Sequence, residues 1–201
     1  MSEIVVYEFQ ERMLGAADAT ERRVLELWEQ FVRGEISEGD LRMMVATVVT
    51  RANSAVVGVA DASVSAQIEA LTGTATPPTG VAPTDPTDDM ARLLAAVETI
   101  QYATNSVDIA MQLGRLARAE PIATAQRAAV EAMGHQQMVE GWVRQMDGNP
   151  CQLCKWWSRD GRVWPKVHPF QRHPGCNCQP RVVLSGTVKP TEYTRRIERN
   201  A

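Results

Sequence analysis

Apolar positions recur at three- and four-residue spacing through most of the first 138 residues, the periodicity of helices that bury one face. Thr20 reads as an N-cap before Glu21, after which Val24, Leu27, Trp28 and Phe31 form a stripe that Gly34 can end. Ser37 and Asp40 resemble a capping box, with Asp shorter than the usual Glu. From there Leu41, Met44, Val45, Val48, Ala52, Ala55, Val56 and Val59 carry a second helix to about Leu71. The pattern breaks over residues 72–88, where Thr, Gly and Asp surround Pro77, Pro78, Pro83 and Pro86. These exclude helix and central strand and predict a linker or exposed loop. Helical spacing resumes at Met90, Leu93, Leu94 and Val97 and returns at Val107, Ala110, Met111, Leu113 and Leu116. Pro121 suits the first turn of one more helix, ending near Met138.

Beyond residue 138 the texture changes to Gly, Pro, Trp and Arg without a helical stripe, which predicts short strands and turns, with strands around Trp142 to Met146 and Arg181 to Leu184. The fold class expected is therefore mainly α, with a small C-terminal α+β module. The expected divisions are a helical scaffold over 1–71, the Thr/Pro-rich linker over 72–88, a helical segment over 89–138, the module over 139–186 and a basic tail over 187–201. Four of the five tryptophans, Trp142, Trp156, Trp157 and Trp164, fall in the C-terminal part. A unit of that size has little core of its own, so aromatics packed around a metal are expected to hold it.

Composition changes this picture in two ways. The net charge of −3 conceals ten Lys and Arg against twenty Asp and Glu in residues 1–141, and eleven against four in residues 142–201. An acidic scaffold joined to a basic module implies two surfaces with different partners, the basic one suited to nucleic acid or an acidic protein. No apolar run reaches the eighteen or so positions of a membrane span, and Met1-Ser2-Glu3 opens on an acid. The expectation is a soluble protein without a cleaved signal, with no membrane and no small-molecule substrate among its partners.

All four cysteines lie at 151, 154, 176 and 178. Such clustering fits a metal site better than a disulfide scaffold, which spreads its cysteines to close loops. Cys151-Gln-Leu-Cys154 is a CxxC pair behind a Gly148-Asn149-Pro150 turn, and eighteen residues separate it from His173-Pro-Gly-Cys176-Asn-Cys178. Two short-spaced pairs on separate turns are the usual way to supply four N or S ligands to tetrahedral zinc. Cys151, Cys154, His173 and Cys176 are the first choice, Cys178 competes for the fourth place, and His168 is an outside candidate. A closed site of this kind is structural, so metal removal is expected to unfold the module. Pro150-Cys151-x-x-Cys154 also matches half of a zinc deaminase signature, but His135 is followed by Gln136 and Gln137 rather than the Glu that shuttles protons. A zinc-braced nuclease would have only His168 and Asp160 to build on. Trp156 and Trp157 are expected to pack on the metal site rather than stack on bases. The tail from Tyr193, with Arg195, Arg196 and Arg199, reads as a solvated terminus or an electrostatic contact for DNA or a protein partner.

Trp142, Asp147, Cys151-x-x-Cys154, Asp160-Gly161 and His173-Pro-x-Cys176-x-Cys178 with Pro180 together resemble the C-terminal motif of phage Mu protein F-like minor head proteins, in the CxxC version found in tailed phages of actinobacteria. The likeness covers roughly residues 120–185, and the helical N-terminal part is similar only in character. It implies a non-enzymatic minor capsid protein at the portal vertex inside the virion, made in the host cytoplasm and supporting head assembly and genome packaging or ejection. Implied partners are the portal protein, the major capsid protein and packaged DNA. Only Cys151, Cys154, His173, Cys176 and Cys178 carry over, as ligands of a structural Zn2+. Many relatives lack the CxxC pair, and neither the 72–88 segment nor Trp156-Trp157 belongs to the pattern. The alternative from another class is a free zinc-dependent nucleic-acid-binding protein.

Overall fold

A computed structural model of the protein describes residues 1–102, 106–184 and 192–200. In chain order the elements are α1 (Ser2–Val32), α2 (Glu38–Thr72), α3 (Pro86–Gln101), α4 (Ser106–His135), β1 (Gly141–Gln145), α5 (Gln152–Ser158), β2 (Val163–Pro165), β3 (Gln179–Val183) and α6 (Glu192–Asn200). The chain is mainly α with a small antiparallel sheet toward the C-terminus.

α1 runs unbroken through Thr20, which is not a cap. Its hydroxyl donates to the Ala16 carbonyl oxygen at 2.7 Å, the back-bond that lets a buried threonine sit inside a helix. At α2 the short Asp40 side chain does close the capping box: Asp40 N donates to Ser37 Oγ at 3.1 Å and Ser37 N to Asp40 Oδ2 at 3.3 Å. Gly73, at φ +69, ends the helix in the left-handed conformation that glycine adopts without strain. By length and composition α2 would suffice to cross a bilayer, but here its apolar stripe packs against α1, α3 and α4.

The expected break at Pro121 is absent, since α4 is one helix with a buried proline in its interior. An interior proline costs a helix about 3 kcal/mol or more. Leu113 and Ala117 on one side of it, and Ala125, Ala129 and Met133 on the other, are locked into cores formed with α1 and α2, and this packing outweighs the local penalty.

The segment expected to be a linker over 72–88 is shorter, because Asp85 caps α3 and Pro86 occupies its first turn. It is also tied down. The buried Asp61 carboxylate accepts from Thr79 N (3.0 Å), Thr79 Oγ1 (2.9 Å), Gly80 N (2.8 Å) and Val81 N (3.1 Å), and Val81 enters the core. Burial by itself would raise the Asp61 pKa, but these donors hold it below the ordinary value. A carboxylate depressed in the folded state contributes stability above its unfolded pKa and loses it as pH falls through the folded one. Asp61→Ala, which strands the loop donors, should cost about 1–3 kcal/mol at neutral pH in urea titrations. The difference from wild type should shrink as pH drops below about 4. A constant difference down to acid unfolding would show that the carboxylate charge is not what holds the loop.

The core has two levels. Val24, Leu27, Leu41, Val45, Val49, Leu93, Val97 and Leu113 fill one end of the bundle. At the other end Phe9, Met13, Val64, Ile68, Ala129 and Met133 pack with Trp142 of β1, Phe170 and Val182 of β3. The sheet order is β2-β1-β3, with Trp142 opposite Trp164 on one side and Val182 on the other. The two expected strands are present within two residues of their forecast bounds. β2 is an addition: it has three residues and ends in Pro165, too short to show alternation. The seven-residue α5 is likewise too short to carry a stripe, and α6, expected as a solvated tail, has only Tyr193 and Ile197 to mark an apolar face.

The tryptophans do not gather around one metal. Trp142 is 2% exposed and its Nε1 donates to His168 O at 3.2 Å. Its ring stacks beside Trp164, with centroids 5.9 Å apart, and meets Phe170 edge-on at 5.0 Å. The sheet is thus held by the floor of the helical bundle, because it buries its largest side chain there.

Candidate metal centre

Two turns and one short helix bring the five candidate ligands together. Asp147 organises the first turn: its Oδ1 accepts from Asn149 N at 3.1 Å, and its Oδ2 reaches across to accept from Asn177 N at 3.3 Å. One carboxylate therefore braces both ligand segments. Cys151 is the N-cap residue of α5 and Cys154 lies in its first turn, so helical geometry holds the CxxC spacing. α5 stops at Arg159, Asp160 and Gly161, three successive residues with positive φ (47, 55 and 81). In the second segment Cys176 N donates to His173 O at 3.2 Å around Pro174-Gly175, and Gly175 takes φ +77, as the third position of a type II turn requires.

Cys151 Sγ lies 3.0 Å from His173 Nε2, Cys154 Sγ 3.4 Å from the same nitrogen, and Cys154 Sγ 3.1 Å from Cys176 Sγ. Ligand atoms of Cys151, Cys154 and His173 all fall within 4.8 Å of one another, as do those of Cys154, Cys176 and Cys178. The edges of a tetrahedron around zinc are about 3.5–3.8 Å for sulfur and imidazole ligands, so these donors, at 3.0–3.4 Å, would have to spread by a few tenths of an ångström to surround an ion. Cys154 belongs to both triads and sits at the centre of the cluster, which can hold a metal ion.

The thiols divide electrostatically. Cys178 is drawn down to about 6, chiefly by its bond with the Cys176 thiol, with help from the Asp147 N–H that donates to its sulfur at 3.4 Å. Cys151 is also lowered, chiefly by the facing Cys154 amide, although no capping hydrogen bond closes there. Burial pushes Cys154 up to about 12, and Cys176 is raised by its neighbour Cys178 and by burial. Crowded thiols that resist ionising together are relieved by a cation that displaces their protons.

The backbone of the second segment is clamped by the bundle. Gln126 of α4 donates from Nε2 to Cys176 O (2.7 Å) and Cys178 O (2.9 Å). Gln10 of α1 donates to Asn177 O at 3.1 Å, and Asn177 Nδ2 donates back to Gln10 O at 2.8 Å. Sequence reasoning missed both glutamines. The available signal was a polar residue inside an apolar stripe: Gln10 between Phe9 and Met13, and Gln126 within an alanine-rich run.

His168 is placed elsewhere. Its ring stacks on Trp164 at 4.3 Å, meets Tyr193 of α6 edge-on at 5.7 Å, and is absent from both triads. Trp157 does lie beside the cluster, 5.8 Å from the His173 ring, whereas Trp156 is 60% exposed and packs on nothing of that kind. His135 ends α4 in an exposed position, and Asp160 is exposed on the turn after α5. Arg195, Arg196 and Arg199 are exposed on α6.

No known family, curated protein or solved structure matches this chain.

Proposed function

We propose that this protein is a non-catalytic minor head protein of a tailed phage, similar to the Mu F-like group, whose Cys/His cluster holds one structural zinc. The observation that carries the reading is the convergence of CxxC and HxxCxC on one point, since those are the motif residues that the likeness rests on. Zinc suits a donor set of thiolates and one imidazole, and Cys151, Cys154 and His173 with Cys176 or Cys178 would complete four ligands. The acidic helical part is the surface for a portal or capsid protein. The arginines of α6 are the contact for packaged DNA or an acidic portal face, because they are exposed and lie in the basic third of the chain.

The test is coexpression with the portal protein of the same genome. Copurification of the two, with one zinc per chain by elemental analysis, is the expected result. Removing the α6 charges (Arg195→Ala, Arg196→Ala and Arg199→Ala) should weaken DNA retention or portal binding with reduced salt dependence. Tight nucleic-acid binding by the chain alone, with no affinity for portal, would instead identify a free zinc-dependent nucleic-acid-binding protein.

A further inference from the structure

Two residues along β1 from Trp142 and on the same face, Arg144 opens onto a cleft of about 210 Å³ lined by Trp142, Trp157, Arg159, Trp164 and His168, among others. Arg144 is 4% exposed, and among the described residues no carboxylate pairs with it. Its guanidinium lies 4.0 Å from the Phe170 ring centroid and 5.4 Å from that of Trp157, and Nη2 donates to Gln171 O. Among the described residues Nε and Nη1 have no hydrogen-bond partner, and neither does Nε1 of Trp164 in the same cleft. A buried charge left without a counter-ion is among the costliest arrangements in a fold.

The unsatisfied groups are all donors. Among the described residues no acidic side chain lines the cleft, Arg159 adds a second positive charge, and Arg162 sits 4.5 Å over the Trp164 ring. An occupant must therefore be negative and rich in acceptors. The volume is below the roughly 300–1,000 Å³ of sites for drug-sized molecules, so it suits a single anionic group rather than a whole cofactor.

We propose that this cleft binds a phosphate group, with Arg144 Nε and Nη1 and Trp164 Nε1 donating to its oxygens and Arg159 supplying further charge. Phosphate fits better than carboxylate because three donors from two residues, plus a second arginine, match a group with more than two acceptor oxygens. Trp157, half-buried at the rim, is the side chain that shifts to admit it. The site adjoins the Cys/His cluster through Trp157, whose ring lies 5.8 Å from that of His173, but it uses none of the candidate ligands and does not depend on the head-protein reading.

The full-length protein titrated with inorganic phosphate should show saturable binding by calorimetry and a change in tryptophan fluorescence. A Nε–H resonance of Arg144 should shift at the same concentrations. Arg144→Met should abolish the binding, and Arg159→Ala, on the surface, should weaken it by about tenfold. A second arm with oligo(dT) separates the sources. Competition between oligo(dT) and phosphate, with tighter binding of the oligonucleotide, assigns the site to a nucleic-acid backbone, whereas phosphate binding alone assigns it to the free anion. The proposal fails if wild type binds neither, or if Arg159→Ala and wild type bind phosphate equally. It also fails if an acidic peptide binds where phosphate does not.

Discussion

Trp142→Ala is expected to destabilise the protein by about 3–5 kcal/mol, the range for removing a fully buried large aromatic. In a chain of this length that corresponds to a fall in Tm of roughly 6–20 °C. The side chain joins both halves of the structure: it belongs to the same core as Phe9, Met13 and Ile68 of the bundle, stacks beside Trp164 and closes on Phe170. Its indole N–H also satisfies His168 O, so the substitution leaves a carbonyl without its donor. Urea unfolding followed by far-ultraviolet circular dichroism, dominated by the helices, would show the loss directly. A change below about 1 kcal/mol would mean that the sheet and bundle are not one core.

Removing the proposed zinc is expected to act more locally than the size of the sheet suggests. A module with no core of its own would unfold without its metal. Here β1 and β3 are anchored by Trp142 and Val182 in the bundle, and the Val182 amide donates to the buried Gln67 at 2.9 Å. Chelation should therefore free α5 and the segment around His173 to Cys176, while the β1–β3 amides stay protected from hydrogen exchange. Cys154→Ser, which removes the ligand common to both triads, should lower metal affinity by more than the roughly 10–100-fold that loss of an outer-shell partner costs. Global unfolding on chelation would show that the metal and not the bundle organises the sheet. Unchanged exchange in α5 would show that the cluster needs no metal at all.

Gln10 and Gln126 explain why the second ligand segment should keep part of its shape without metal. Together they satisfy the carbonyls of Cys176, Asn177 and Cys178 from two helices. Buried amides in these positions are retained only when each bond is made, because an unpaired carbonyl there would cost as much as the pair gains.

Local rules were enough for what local chemistry decides. Helical spacing, the Ser37–Asp40 box and the paired spacing of Cys and His can each be read within a few residues, since each depends on neighbours along the chain. The same rules failed where a distant partner outweighs them. Thr20 and Pro121 look like helix starts, but packing against other helices carries α1 and α4 straight through them. Only the tertiary structure decided that Asp61 would hold the Thr/Pro segment, that Trp142 would belong to the bundle rather than the metal, and that Arg144 would be buried with no carboxylate beside it among the described residues. Those outcomes rest on side chains meeting across large separations, 167 residues between Gln10 and Asn177, and no periodicity or spacing in a single chain records which of them will meet.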